Sequence, residues 1–181
     1  MSKSTLVIHP KDKSTDFLSE IYIDKSWTII NTSISKKSLK NYIKSHDRIV
    51  MLGHGTECGL IGFGNFIIDS RIVYLLREKE CICIWCNADV FFKKYKLTGF
   101  YTGMIVSEVD EAVMYNLPTN SYMISESNLK FSLAIKESID SDNILDNVRQ
   151  MYRSDGVNNI IEFNRTNIYA SESGVLGFDN N

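Results

Sequence analysis

Three short apolar runs constrain this chain most: Leu6-Val7-Ile8, Ile49-Val50-Met51-Leu52 and Cys81-Ile82-Cys83-Ile84-Trp85. None alternates with polar residues, so each reads as a strand covered on both faces. The first stops at His9-Pro10, because proline has no N–H to continue a ladder. The second stops at Gly53-His54-Gly55 and the third at Cys86-Asn87. Amphipathic stretches lie between them. Ser14–Tyr22 carries Phe17, Leu18, Ile21 and Tyr22 at helical spacing behind a cap-like Ser14 or Thr15. Ser35–Ser45 turns Leu39, Tyr42 and Ile43 inward and Lys36, Lys37, Lys40 and Lys44 outward. Strands alternating with helices predict an α/β fold, a three-layer sandwich around a mostly parallel central sheet.

The remaining elements follow from the same patterns. Trp27–Ile30 reads as a strand, and Leu60–Ile61 with Phe66–Ile68 as a hairpin about Gly62-Phe63-Gly64-Asn65. Helices are predicted over Asp69–Arg77, from Asn87 to Lys94 and from Ser107 to Asn116. A fifth strand is predicted over Thr102–Val106. Ser125–Ile139 is a further helix, resting on Leu129, Leu133, Ile135 and Ile139; Ile144–Tyr152 is another, and Asn159–Phe163 a last strand. Residues 1–169 are expected to form one domain and 170–181 a polar tail.

Composition narrows the function classes. The chain has 181 residues, 44% hydrophobic and 23% charged, with a formal charge of −2. A chain of this length buries about 70% of the surface it exposes unfolded, so it needs no metal or disulfide to fold. No basic stripe marks a nucleic-acid partner. No apolar run reaches the roughly 18 residues of a membrane span, and the N-terminal run is too short for a signal peptide. A cytoplasmic protein is expected, with Cys58, Cys81, Cys83 and Cys86 reduced. No cofactor is expected. A homodimer could form through an exposed sheet edge.

In open α/β sheets, sites lie beyond the carboxyl ends of the strands. Two of these ends carry complementary chemistry, the imidazole of His54 and the thiol of Cys86. The connection between them is long enough for a crossover between neighbouring parallel strands. A thiol becomes nucleophilic when a base or a helix N-terminus favours its thiolate. His54 is the candidate base, and the helix after Cys86 the candidate dipole. The N–H groups of Gly55 and Cys86 are candidate oxyanion donors.

An apolar strand ending in Gly-His-Gly, then an apolar strand ending in Cys, resembles the caspase-like cysteine peptidases, nearest to the bacterial CHAT and metacaspase-type members. The resemblance covers Thr5–Asn116. It implies His54 as acid and base, Cys86 as nucleophile, and the Gly55 and Cys86 N–H groups as oxyanion hole. It implies a protein or peptide substrate, with the loop after the fifth strand, Ser107-Glu108-Val109-Asp110-Glu111, helping to shape the pocket and Ser107 and Glu108 as its candidate contacts. Acidic groups there, together with Asp12, would suit a basic side chain.

Plainer readings stand beside these. Cys81 and Cys83 share one strand face and read as packing. His9 reads as a strand-end group and His46 as surface. His54-x3-Cys58 with Cys83-x2-Cys86 supplies four soft ligands, the pattern of an alternative zinc site. The glycines between Gly53 and Gly64 read as tight turns, since no phosphate-loop motif accompanies them. A catalytically inactive domain that holds a peptide or ligand in the same cleft is the alternative to a peptidase.

Overall fold

Apolar side chains alternate between two covered faces, and this alternation builds the layers. The computed structural model describes residues 3–171. In chain order the elements are β1 (Thr5–Ile8), a 3-10 segment (Lys13–Ile21), β2 (Thr28–Ile30), α1 (Lys36–Lys44) and β3 (Arg48–Leu52). A small antiparallel sheet of β4 (Gly55–Thr56), β5 (Gly59–Gly62) and β6 (Asn65–Ile68) follows, then a short 3-10 turn (Val73–Leu75). The chain continues through β7 (Glu80–Ile84), α2 (Ala88–Tyr95), β8 (Thr98–Thr102), α3 (Val109–Met114), α4 (Ser121–Ser138), α5 (Ile144–Met151), α6 (Asn159–Arg165) and β9 (Ile168–Ser171).

The main sheet has the order β2-β1-β3-β7-β8-β9, parallel except for the antiparallel β9. Leu6, Ile8, Ile49, Met51, Cys81 and Cys83 face α1 and α2, packing on Leu39, Ile43, Phe91 and Phe92. Their neighbours Val7, Val50, Leu52, Ile82 and Ile84 face the 3-10 segment and α4, meeting Leu18, Ile21, Phe131 and Ile135. The fold is thus α/β with helices on both faces of a mostly parallel sheet. Cys81 and Cys83 are fully buried packing groups.

Because both faces of β3 and β7 are apolar, hydrophobic alternation alone does not choose their register. The polar ends do. Arg48, only 3% exposed, pairs with Glu80 at 3.1 Å and Asp140 at 2.6 Å, and Glu80 stands opposite Arg48 in the ladder.

Several expectations are corrected. The fifth strand is Thr98–Thr102 and not Thr102–Val106. Gly99, which reads as a strand breaker, permits close approach: a Cβ there would lie 2.1 Å from the Cys81 carbonyl oxygen, and its φ is +123°. Asn159–Phe163 belongs to a helix, because the Asn158 side chain accepts from the Ile160 and Ile161 N–H groups and caps it. Asp69–Arg77 keeps only the Val73–Leu75 turn, since Asp69 accepts from the Arg71 N–H in a local turn that competes with helix. The 3-10 segment is capped by Asp12 and not by Ser14 or Thr15. Tyr42, Leu129 and Leu133 face solvent, because their helices present a narrower apolar stripe than their composition suggests. Ala170 and Ser171 complete β9 and are not tail; the rest of the expected tail lies outside the described residues.

Replacing Arg48 with methionine is expected to lower stability by roughly 2–3 kcal/mol in urea unfolding. This is below the usual cost of breaking a buried pair, because Glu80 and Asp140 keep contact with water. An unchanged midpoint would show that the pair does not hold the register.

Candidate active site

The β3–β7 ladder has a constant offset of 32 residues, from Arg48 opposite Glu80 to Leu52 opposite Ile84. Continued two residues past the last paired positions, the same offset leads to His54 and Cys86. The Gly53 N–H extends the ladder by one rung, donating to the Ile84 carbonyl at 3.1 Å. Side chains alternate, so His54 and Cys86 emerge on the face that Leu52 and Ile84 share with α4. The strands then part: Gly53 has φ +137° and Asn87 is left-handed at +65°. Both candidate side chains line one crevice of about 30 Å³, walled by Thr15, Phe17, Ile105 and Phe131. That is room for a water-sized group.

Cys86 is partly buried, with its sulfur 3.8 Å from the Ile105 carbonyl oxygen. Burial pushes the thiol above its ordinary pKa, the Ile105 backbone partly offsets this, and the Glu111 carboxylate pushes it further up. The dipole of α2 was expected to favour the thiolate. In the structure desolvation is the larger effect and opposes the thiolate. The first N–H groups after Cys86 are also engaged, Asn87 with the Gly103 carbonyl and Ala88 with the Trp85 carbonyl, both at 3.2 Å.

His54 is 43% exposed at its side chain, and its Nε2 lies 2.7 Å from the Ser14 hydroxyl oxygen. That hydroxyl is also 2.7 Å from Asp12 Oδ1, which stands 3.8 Å from the same Nε2. The Ser14 hydroxyl and N–H, with a smaller contribution from His54, hold the Asp12 carboxyl below its ordinary pKa, so it is ionised. No hydrogen bond joins His54 to Cys86 among the described residues.

The other expected site residues divide. Ser107 lines the crevice; Glu108 is the exposed N-cap of α3 and does not. Glu111 lines it instead, accepting from the Ser107 N–H at 2.8 Å, the Ser107 hydroxyl at 3.2 Å and the Glu108 N–H at 3.2 Å. Asp12 is engaged by Ser14 beside His54. Gly55 faces Leu60 in a rung between two hydrogen-bonded ones, so its N–H points away from β5. A Cβ on Gly55 would lie 2.1 Å from Trp85 Cδ1, so packing against Trp85 requires a glycine there.

Sequence reasoning misses Ser14 as a site residue, and within the acidic Ser107–Glu111 loop it favours Glu108 where Glu111 lines the crevice. Ser14 reads as a helix cap, and Asp12-x-Ser14 beyond β1 is its only signal. The zinc pattern does not assemble: Cys83 is enclosed in β7, Cys58 is exposed, and no three His, Cys, Asp or Glu side chains group to hold a metal among the described residues. His9 is buried, bonded to the Tyr22 hydroxyl at 2.9 Å and the Thr15 hydroxyl at 3.3 Å, and burial lowers its pKa. His46 bonds Thr28 and the Tyr42 carbonyl.

Comparison with known protein families, curated proteins and solved structures finds no match in any of the three. Among the described residues no helix is long and apolar enough to cross a membrane.

In a Cys58→Ser background, alkylation of Cys86 by iodoacetamide is expected to rise with pH about a midpoint above the ordinary thiol value of about 8.5. The sign follows from burial: the folded protein holds this proton more tightly than an open chain does. A midpoint below 8.5, read by mass spectrometry across a pH series, would mean a resting thiolate instead.

Proposed function

We propose that the protein is a cysteine peptidase-like hydrolase of caspase-like type, with Cys86 as nucleophile and His54 as acid and base. One observation carries this reading: His54 and Cys86 line one crevice at the carboxyl ends of the paired strands β3 and β7. The small hairpin sheet after β3 and the crossover to β7 are compatible with the resemblance. On this reading the imidazole takes the thiol proton as the sulfur attacks the carbonyl carbon of a bound peptide. The carbonyl electrons move onto oxygen, facing the N–H groups of Gly55 and Cys86. Collapse expels the amine, which leaves with the proton from His54 and gives a Cys86 thioester. Water then attacks with His54 as base, releasing the acid and restoring the thiol.

A thiol raised by burial fits general-base removal during attack better than a standing ion pair. Ser107 and Glu111 would border the bound chain, and the carboxylate of Glu111 would favour a basic side chain. A second reading, an inactive domain that binds a peptide or ligand in this cleft, draws on one observation. His54 is bonded to Ser14 and not to Cys86.

The two readings part on a peptidyl chloromethyl ketone and a set of short fluorogenic peptides, with Cys58 replaced by serine. The peptidase reading expects the ketone on Cys86 and no hydrolysis by Cys86→Ala. It also expects a loss on the order of 100-fold or more in His54→Ala. Labelling indifferent to His54, or hydrolysis surviving in Cys86→Ala, would replace it with the binding reading.

A further inference from the structure

The polar chain Asp12–Ser14–His54 has one consistent arrangement of protons. Asp12 is ionised and can only accept, so its 2.7 Å contact with Ser14 takes the single hydroxyl proton of Ser14. The Ser14 oxygen, 2.7 Å from His54 Nε2, is then left to accept. The Nε2 therefore carries the hydrogen, and the lone pair of the neutral ring sits on Nδ1. We infer that Ser14, aligned by Asp12, is a positioning residue that selects the Nε2–H tautomer of His54 and leaves Nδ1 as its basic atom. This inference rests on the reading of His54 as the base that serves Cys86.

The arrangement also says what Ser14 is not. A serine nucleophile gives its proton to the imidazole while a carboxylate holds the far ring nitrogen. Here the carboxylate holds the serine, and the serine lies between it and the ring. Asp12 consequently moves from the role of substrate contact to that of orienting group. When Nδ1 takes the thiol proton, nothing else in the chain needs to transfer. The Nε2–H stays on the imidazolium, and the ionised Asp12 stands 3.8 Å away as its counter-charge.

The loop that presents Ser14 is fixed on three sides. Asp12 caps the 3-10 segment by accepting from the Ser14 N–H at 3.0 Å. His9 is buried and tied to Thr15 and Tyr22, and its N–H donates to the Ile30 carbonyl. Pro10 sits so close to Gly62 of β5 that a Cβ on that glycine would lie 2.4 Å from Pro10 Cγ. A hydroxyl held this way orients the ring without an ordering cost at the moment of reaction.

The test is the tautomer of His54, read from ¹⁵N chemical shifts at mildly alkaline pH, where an imidazole is neutral. The parent protein should show Nε2–H. Ser14→Ala should give a mixture of tautomers and lower the chloromethyl ketone labelling rate of Cys86 about tenfold, the scale of one lost hydrogen bond. Ser14→Thr, which keeps the hydroxyl, should restore both. Asp12→Asn keeps the capping oxygen but adds N–H donors, so Ser14 can turn its proton toward Nε2 and the Nδ1–H form should appear. An Nδ1–H parent, or a tautomer ratio unmoved in Ser14→Ala, overturns the inference. If the tautomer responds to Ser14 but labelling ignores His54, the positioning stands and the peptidase reading falls. If labelling needs His54 but its tautomer ignores Ser14, this inference falls alone.

Discussion

The register of β3 on β7 is the constraint on which the site depends. A side chain at the end of a parallel strand can meet only what its neighbour presents at the same height and on the same face. A constant offset of 32 residues holds up to Leu52 and Ile84, and His54 and Cys86, two residues beyond, line one crevice. A slip of one residue would turn one of them to the opposite layer. The apolar interior cannot prevent that slip, since both faces of both strands are equally greasy. Arg48 and Glu80, opposite each other at the far end of the ladder, form a charge pair that favours the observed register.

Beyond the sheet, the site is assembled by polar contacts that local sequence serves twice. Asp12 is at once the cap of the 3-10 segment and the acceptor that fixes the Ser14 proton. Glu111 is at once a member of the α3 capping box and a wall of the crevice. In both cases a carboxylate needed to end a helix lies where a reacting group would feel its charge. For Cys86 that charge adds to burial and opposes the thiolate. For His54, Asp12 offers a counter-charge to an imidazolium.

Much of the architecture was legible because burial writes itself into composition. Runs apolar on both faces marked β1, β3 and β7, and their abrupt ends marked where chemistry could gather. Elements failed where a polar side chain or a glycine overrode the pattern. Asn158 turned Ile160 and Ile161 into helix by capping them, Asp69 kept its segment in turns, and Gly99 joined a strand through a contact rather than a propensity. Ser14 escaped notice for a similar reason. Its local role as part of a cap fully explained it, and its second partner lies 40 residues away.

By itself the sequence determined the layered α/β fold and the strand ends that carry the candidate histidine and cysteine. These are properties of short apolar segments and of residue chemistry. Only the tertiary structure decided that burial pushes the Cys86 thiol up, that the imidazole is engaged by Ser14, and that Glu111 and not Glu108 walls the crevice. Each of these depends on desolvation and on hydrogen bonds between distant segments. Those energies exist only once the chain has closed around the site.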